Sequence, residues 1–123
     1  MSYVFVTVGG GLGALARYVL STWVHGLTGA AFPWGTLAVN GIGSFVIGLV
    51  MVLSVDRGLI SPDVRLLLTT GFCGGLTTFS TFSYETLSLL RAEQWAWAGA
   101  NTLANVALCF AAAGLGMLAG RLG

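Results

Sequence analysis

The stretch Thr69-Thr70-Gly71-Phe72-Cys73-Gly74-Gly75-Leu76-Thr77-Thr78-Phe79-Ser80-Thr81-Phe82-Ser83 carries no charge. It lies inside the charge-free interval 66–84, close to the roughly 20 apolar residues a helix needs to cross a bilayer. Gly71, Gly74 and Gly75 fall within five residues. Each glycine costs about 1 kcal/mol relative to alanine in a helix interior. The reading is a membrane helix over residues 65–89 that is broken at mid-span. A break frees backbone carbonyls and amides, and inside hydrocarbon these must face protein, water or an ion. Broken membrane helices of this kind frame ion sites, carbonyls suiting a cation and N–H groups an anion. The bland alternative is a kink whose backbone is satisfied by the Thr and Ser hydroxyls.

On either side of this stretch, the other charge-free intervals are 1–16, 18–55 and 94–120. The second is too long for one pass. It contains His25-Gly26, Gly29 and Phe32-Pro33-Trp34-Gly35, which read as a loop; Pro33 disfavours helix at Phe32 and suits the start of the next helix. Four helices are expected, near 3–24, 34–54, 65–89 and 95–120, in a single integral-membrane domain over residues 1–123. The loops would be 25–33, 55–64 and 90–94. Ala14-Leu15-Ala16 mimics a cleavage site, but no basic residue precedes the apolar run, so the first segment is expected to stay as a helix.

The composition agrees. The chain has 123 residues, 56% hydrophobic and 7% charged, with a net charge of +1, against about 25% charged residues in a soluble domain. A soluble enzyme, a nucleic-acid binder and a disordered linker are excluded, and no nucleic-acid partner is expected. Two cysteines offer neither a disulfide framework nor metal spacing. Arg57, Arg65 and Arg121 on one side against Arg91 on the other give only a thin bias towards a cytoplasmic N-terminus. A chain so evenly balanced can insert both ways. Nineteen glycines, with Gly9/Gly13, Gly71/Gly75 and Gly116/Gly120 at four-residue spacing, point to close helix packing. Four helices enclose little space, so self-association, at least to a dimer, is the natural way to wall a transport path.

Within residues 77–83, five hydroxyls surround two phenyl rings. Phe79 and Phe82 share one helical face at i,i+3, with Ser80 and Ser83 on an adjacent one. Ring edges are positive, so rings and O–H donors together can replace water around a small anion; aromatic packing with hydroxyls bonded to their own helix is the competing reading. Asn40 is polar at depth in helix 2, able to donate to an anion or to join helices. Asn101, Asn105 and Cys109 form a weakly polar i,i+4 stripe. Arg17 is an intramembrane charge, a functional candidate by default. It either anchors, bonding loop carbonyls or snorkelling to the boundary, or draws anions into a vestibule. His25, Trp34, Trp95 and Trp97 read as interfacial groups, and Glu85 as a residue ending helix 3 near water.

These blocks together, Gly9 to Tyr18, Gly35 to Asn40 and Gly71 to Ser83, resemble the Fluc/CrcB family of small fluoride channels over nearly the whole chain. The resemblance implies an all-α membrane protein forming an antiparallel, dual-topology homodimer with two fluoride pores. By match, Phe79 and Phe82 look like the pore phenylalanines and Asn40 like the pore asparagine. Ser80, Thr81 and Ser83 look like the hydroxyl track beside them. Gly74 and Thr77 look like the residues whose backbone carbonyls hold a central structural Na⁺. Arg17 looks like the family's helix 1 arginine. Asn105 and Cys109 fall where many members carry small hydroxyl residues, and a thiol is the weaker donor there. The implied role is passive fluoride efflux and fluoride resistance at a microbial plasma membrane (the inner membrane in a Gram-negative cell), with no enzymatic activity. Three rivals are a proton-coupled multidrug exporter, a proton-coupled fluoride antiporter and a non-transporting scaffold. The first two need a titratable group at depth.

Overall fold

A computed structural model describes residues 1–29 and 31–123, and no strand occurs among them. Helix α1 spans Ser2–Thr28. Helix α2 spans Trp34–Met51 and continues through wider, π-helical turns over Val52–Asp56. The third segment is composite: α3 (Pro62–Leu66), π-helical turns over Leu67–Cys73, α4 (Gly74–Leu76), an extended Thr77-Thr78 pair, then α5 (Phe79–Arg91). Helix α6 spans Trp95–Leu122. Ser2–Thr28, Trp34–Asp56 and Trp95–Leu122 are long and apolar enough to cross a membrane; the composite segment brings the helical segments to four.

Local chemistry explains most boundaries. The stop after α1 falls at Gly29, whose φ of +81° lies in the left-handed region. Helix α1 therefore continues through His25-Gly26, which the sequence pattern assigns to a loop. One glycine costs about 1 kcal/mol, too little to end an otherwise apolar helix. Helix α2 starts directly after Pro33, and α3 opens with Pro62 behind Ser61, whose hydroxyl accepts the Val64 N–H at 3.3 Å.

Two glycine seams hold the bundle. Helix α1 lies against Leu67–Cys73 and α4, and α2 lies against α6. A Cβ added at Gly13 would fall on the Phe72 carbonyl oxygen and sit 2.9 Å from the Leu76 nitrogen; one at Gly71 would sit 3.0 Å from the Gly9 Cα. Gly48 and Gly116 meet the Ala113 and Phe45 carbonyls in the same way. Small residues thus let backbones touch, the main source of packing gain between helices in lipid. Outward faces carry large exposed apolar side chains, among them Leu15, Leu103 and Leu118, as a lipid-facing surface does. Phe32 is buried at one end between Trp34 and Trp97, with ring centroids 4.7 and 5.2 Å away. At the other end Arg57 donates to the Gly120 carbonyl at 2.8 Å, covering a C-terminal carbonyl of α6.

Candidate functional site

The break sits at Thr77 (φ −87°, ψ 157°) and Thr78 (φ −151°, ψ 123°), both extended. Composition assigns the weakness to Gly71, Gly74 and Gly75. Those glycines instead keep helical backbone, and Gly71 and Gly75 serve the α1 seam: a Cβ at Gly75 would lie 2.8 Å from the Ala14 nitrogen. The interruption falls two residues later, where adjacent β-branched residues favour extended backbone. Thr78 then caps α5, its hydroxyl accepting the Thr81 N–H at 3.1 Å.

The carbonyls around the break divide into two groups. Cys73 O accepts both the Thr77 N–H and its hydroxyl, each at 2.9 Å. Gly75 O accepts Arg17 Nε at 2.9 Å, and Thr78 O accepts Asn40 Nδ2 at 3.1 Å. The carbonyls of Gly74, Leu76 and Thr77 accept no hydrogen bond among the described residues. In hydrocarbon such oxygens need a partner.

Arg17 bonds a backbone carbonyl of the broken segment, Nε donating to Gly75 O. Helix α1 extends eleven residues beyond it, and the guanidinium is held on the broken segment. Asn40 is 8% exposed and joins helices. Its Oδ1 accepts the Thr78 N–H at 2.7 Å, while Nδ2 donates to Thr78 O and to Asn105 Oδ1, both at 3.1 Å. Pairing with both polar groups of one peptide residue fixes which way the amide faces, and it commits both amide protons.

A groove of about 740 Å³ opens beside the break. Of the residues expected in a fluoride path, it gathers Asn40, Phe79, Phe82, Asn105 and Cys109, and it also touches Gly74 and Thr77. No charged side chain lines it among the described residues. Phe79 and Phe82 pack with centroids 5.3 Å apart and planes tilted by 56°; Phe79 is 78% exposed. Ser80, Thr81 and Ser83 are not in its wall. Ser83 donates back to the Phe79 carbonyl at 2.8 Å, and Ser80 lies 3.3 Å from the Thr78 hydroxyl. Ser44, Thr69 and Thr70 also line the groove, and sequence reasoning does not single them out; Ser44 was findable, being four residues from Asn40 on the same helical face.

Glu85 corrects another expectation. Helix α5 runs on to Arg91, so Glu85 lies six residues inside it, half-buried, with Oε1 buried and without a partner among the described residues. The sequence misplaces it because an acidic residue in an apolar run reads as a boundary.

A family model described as "CrcB-like protein, Camphor Resistance (CrcB)" matches residues 4–117, every residue of the groove included. The chain belongs to the CrcB family. This CrcB chain is 51% identical over 118 residues to a protein of Geotalea daltonii named "Fluoride-specific ion channel FluC", covering 96% of this chain and 95% of that one. Proteins of the same name from Pelobacter propionicus and Geobacter sulfurreducens are 56% and 52% identical over 109 and 116 residues. The matches cover 89% and 94% of this CrcB chain, and 84% and 94% of the relatives. The residues matched by the family model, 4–117, take in both glycine seams and the broken segment.

Proposed function

We propose that this protein is a fluoride-selective channel, and not an enzyme, that lets fluoride leave the cytoplasm passively across the plasma membrane. One observation carries the reading: a helix interrupted inside an apolar bundle opens onto an uncharged groove lined by three phenyl rings, Phe79, Phe82 and Phe110, and two carboxamides, in a chain whose relatives are named fluoride-specific channels. Fluoride is small and strongly hydrated, so an oily path excludes it unless weak donors replace its water. Conduction also requires that those donors release it. The positive edges of Phe79 and Phe82 and neutral polar groups suit that task, where a lysine in oil would hold the ion. In this reading Ser80 and Thr81 extend the donors along α5 outside the groove wall, Ser83 supplies no free proton because its hydroxyl donates to the Phe79 carbonyl, and Cys109 is the weakest donor of the set. Arg17 acts at the break, where its guanidinium already engages Gly75 O.

The working unit in this reading is an antiparallel, dual-topology homodimer. Gly74 is exposed on the single chain, and its carbonyl and that of Thr77 lack partners among the described residues. Oxygen donors of that kind fit a Na⁺ held between two copies. A Cβ on Gly74 would meet only Thr69 O, at 3.8 Å, within the chain. Gly74→Val therefore leaves the single chain folded and lowers the dimer fraction on size-exclusion chromatography in detergent. An unchanged dimer removes the shared cation site.

The deciding experiment loads liposomes with potassium fluoride and reads external fluoride with an electrode. Fluoride release on adding a potassium ionophore, and none without it, is the expected result. Vesicles as tight as protein-free ones leave the scaffold reading. Release without the ionophore, driven by a proton gradient, identifies an antiporter.

A further inference from the structure

Three amides scattered along the sequence form one hydrogen-bond circuit that begins at the cap of α5 and ends within it. Thr78 N–H donates to Asn40 Oδ1 at 2.7 Å. Asn40 Nδ2 donates to Asn105 Oδ1 at 3.1 Å. Asn105 Nδ2 donates to Asn101, to its Oδ1 at 3.0 Å and to its main-chain carbonyl at 2.9 Å. Asn101 Nδ2 donates to Thr86 Oγ1 at 2.9 Å, and that hydroxyl donates to the Phe82 carbonyl at 2.9 Å. Every link runs in the same donor-to-acceptor sense. The sense is set at its start, because Asn40 also donates to Thr78 O, so its amide cannot face the other way. Asn101 is completely buried, and Asn40 and Asn105 are nearly so.

We infer that Asn101 and Thr86 are positioning residues for the ion path: they close this circuit and so fix where Phe79 and Phe82 stand relative to Asn40. The inference rests on the fluoride-channel reading. The two ends of the circuit are the Thr78 N–H, just before Phe79, and the carbonyl of Phe82 itself. A helix that starts after an extended pair has no continuous backbone ladder to the preceding segment. Its rotation about its own axis and its slide along it are set by side chains from α2 and α6. Two anchor points, one at the cap and one about two turns further at Thr86, define both. Networks of fully satisfied buried polar groups are the usual means of specifying a single arrangement in a low-dielectric interior. Neither Asn101 nor Thr86 lines the groove, so neither meets the ion directly.

Thr86→Val removes the hydroxyl at constant shape and breaks the circuit between Asn101 and Phe82. Thr86→Ser keeps it. Asn101→Leu breaks the Asn101–Thr86 link from its other side and also removes the Oδ1 that accepts from Asn105 Nδ2. Fluoride release is measured per folded chain in liposomes, together with the thermal unfolding midpoint in detergent. The expected result is a fall in flux of about tenfold or more for Thr86→Val and for Asn101→Leu, as a small misplacement caused from a distance can produce. Thr86→Ser retains flux, and the double variant is no worse than the poorer single one, since either change alone already opens the same circuit at the Asn101–Thr86 link. If Asn101→Leu does not fold, the Thr86 pair alone decides. Flux per folded chain unchanged in Thr86→Val overturns the inference, even if the unfolding midpoint drops, because a purely structural role would show only there. Additive losses in the double variant also overturn it. A wild-type protein that releases no fluoride refutes the channel reading instead, so the two failures are distinguishable.

Discussion

Replacing Phe82 with isoleucine suppresses fluoride flux about a hundredfold, with the folded yield unchanged: a ring edge facing the ion is set on the scale of a hydrogen bond to a charged group, about 1.5–3 kcal/mol, and each 1.36 kcal/mol on a barrier slows passage tenfold. Isoleucine is apolar and β-branched, so it fills much of the same volume in the wall of the groove. It lacks the positive ring edge that a phenyl group turns to an anion, and it ends the tilted pairing with Phe79 at 5.3 Å. Phe82 is only half-buried, which keeps the packing cost small. The check is the liposome release assay on wild type and variant at equal reconstituted protein. Normal flux in Phe82→Ile would mean that the rings are packing groups and that the anion passes elsewhere.

Replacing Gly13 with valine prevents the bundle from assembling. A Cβ at this position lands on the Phe72 carbonyl oxygen and 2.9 Å from the Leu76 nitrogen, both rigid backbone atoms. Helix α1 would have to move away along the whole seam that also includes Gly9, Gly71 and Gly75. Overpacking costs typically 1–3 kcal/mol when side chains can adjust, and here none of the opposing atoms is a side chain. The matched control is Gly11→Ala, where an added Cβ meets nothing within 4 Å. The expected outcome is aggregation of Gly13→Val on size-exclusion chromatography, with Gly11→Ala eluting as wild type does. A monodisperse, thermally normal Gly13→Val would show that the α1 seam is looser than its geometry implies.

Much of this architecture is legible in one sequence because a bilayer leaves the chain few choices. Nine charges divide the apolar run, and the hydrocarbon thickness turns those divisions into passes. Helix ends are less legible. Gly26 and Gly29 look alike on paper, yet only Gly29 takes a positive φ. The break in the third segment is legible as an event and not as an address. Gly71 and Gly75 have the composition of a weak helix, but that weakness is offset by packing against α1, whereas Thr77 seats its methyl on Gly43 of α2 and Thr78 pairs its backbone with Asn40, contacts made by the extended conformation. Glu85 is misplaced for a related reason: a carboxylate half-buried inside a helix is costly, and nothing in a linear sequence says that a folded bundle keeps it there.

Composition and short-range spacing are enough to give the solvent, the number of apolar passes, the glycine seams and the family. These properties hold before any helix meets another. Helix packing alone settles which polar groups find each other. Asn40 and Asn105 lie on different helices, and Asn105 is 65 positions along the chain from Asn40, yet their amides are 3.1 Å apart. Arg17 reaches the Gly75 carbonyl, and Thr86 reaches Asn101. Hydrogen bonds act over about 3 Å, so their partners are chosen by the packing of helices, and no spacing within one helix specifies them.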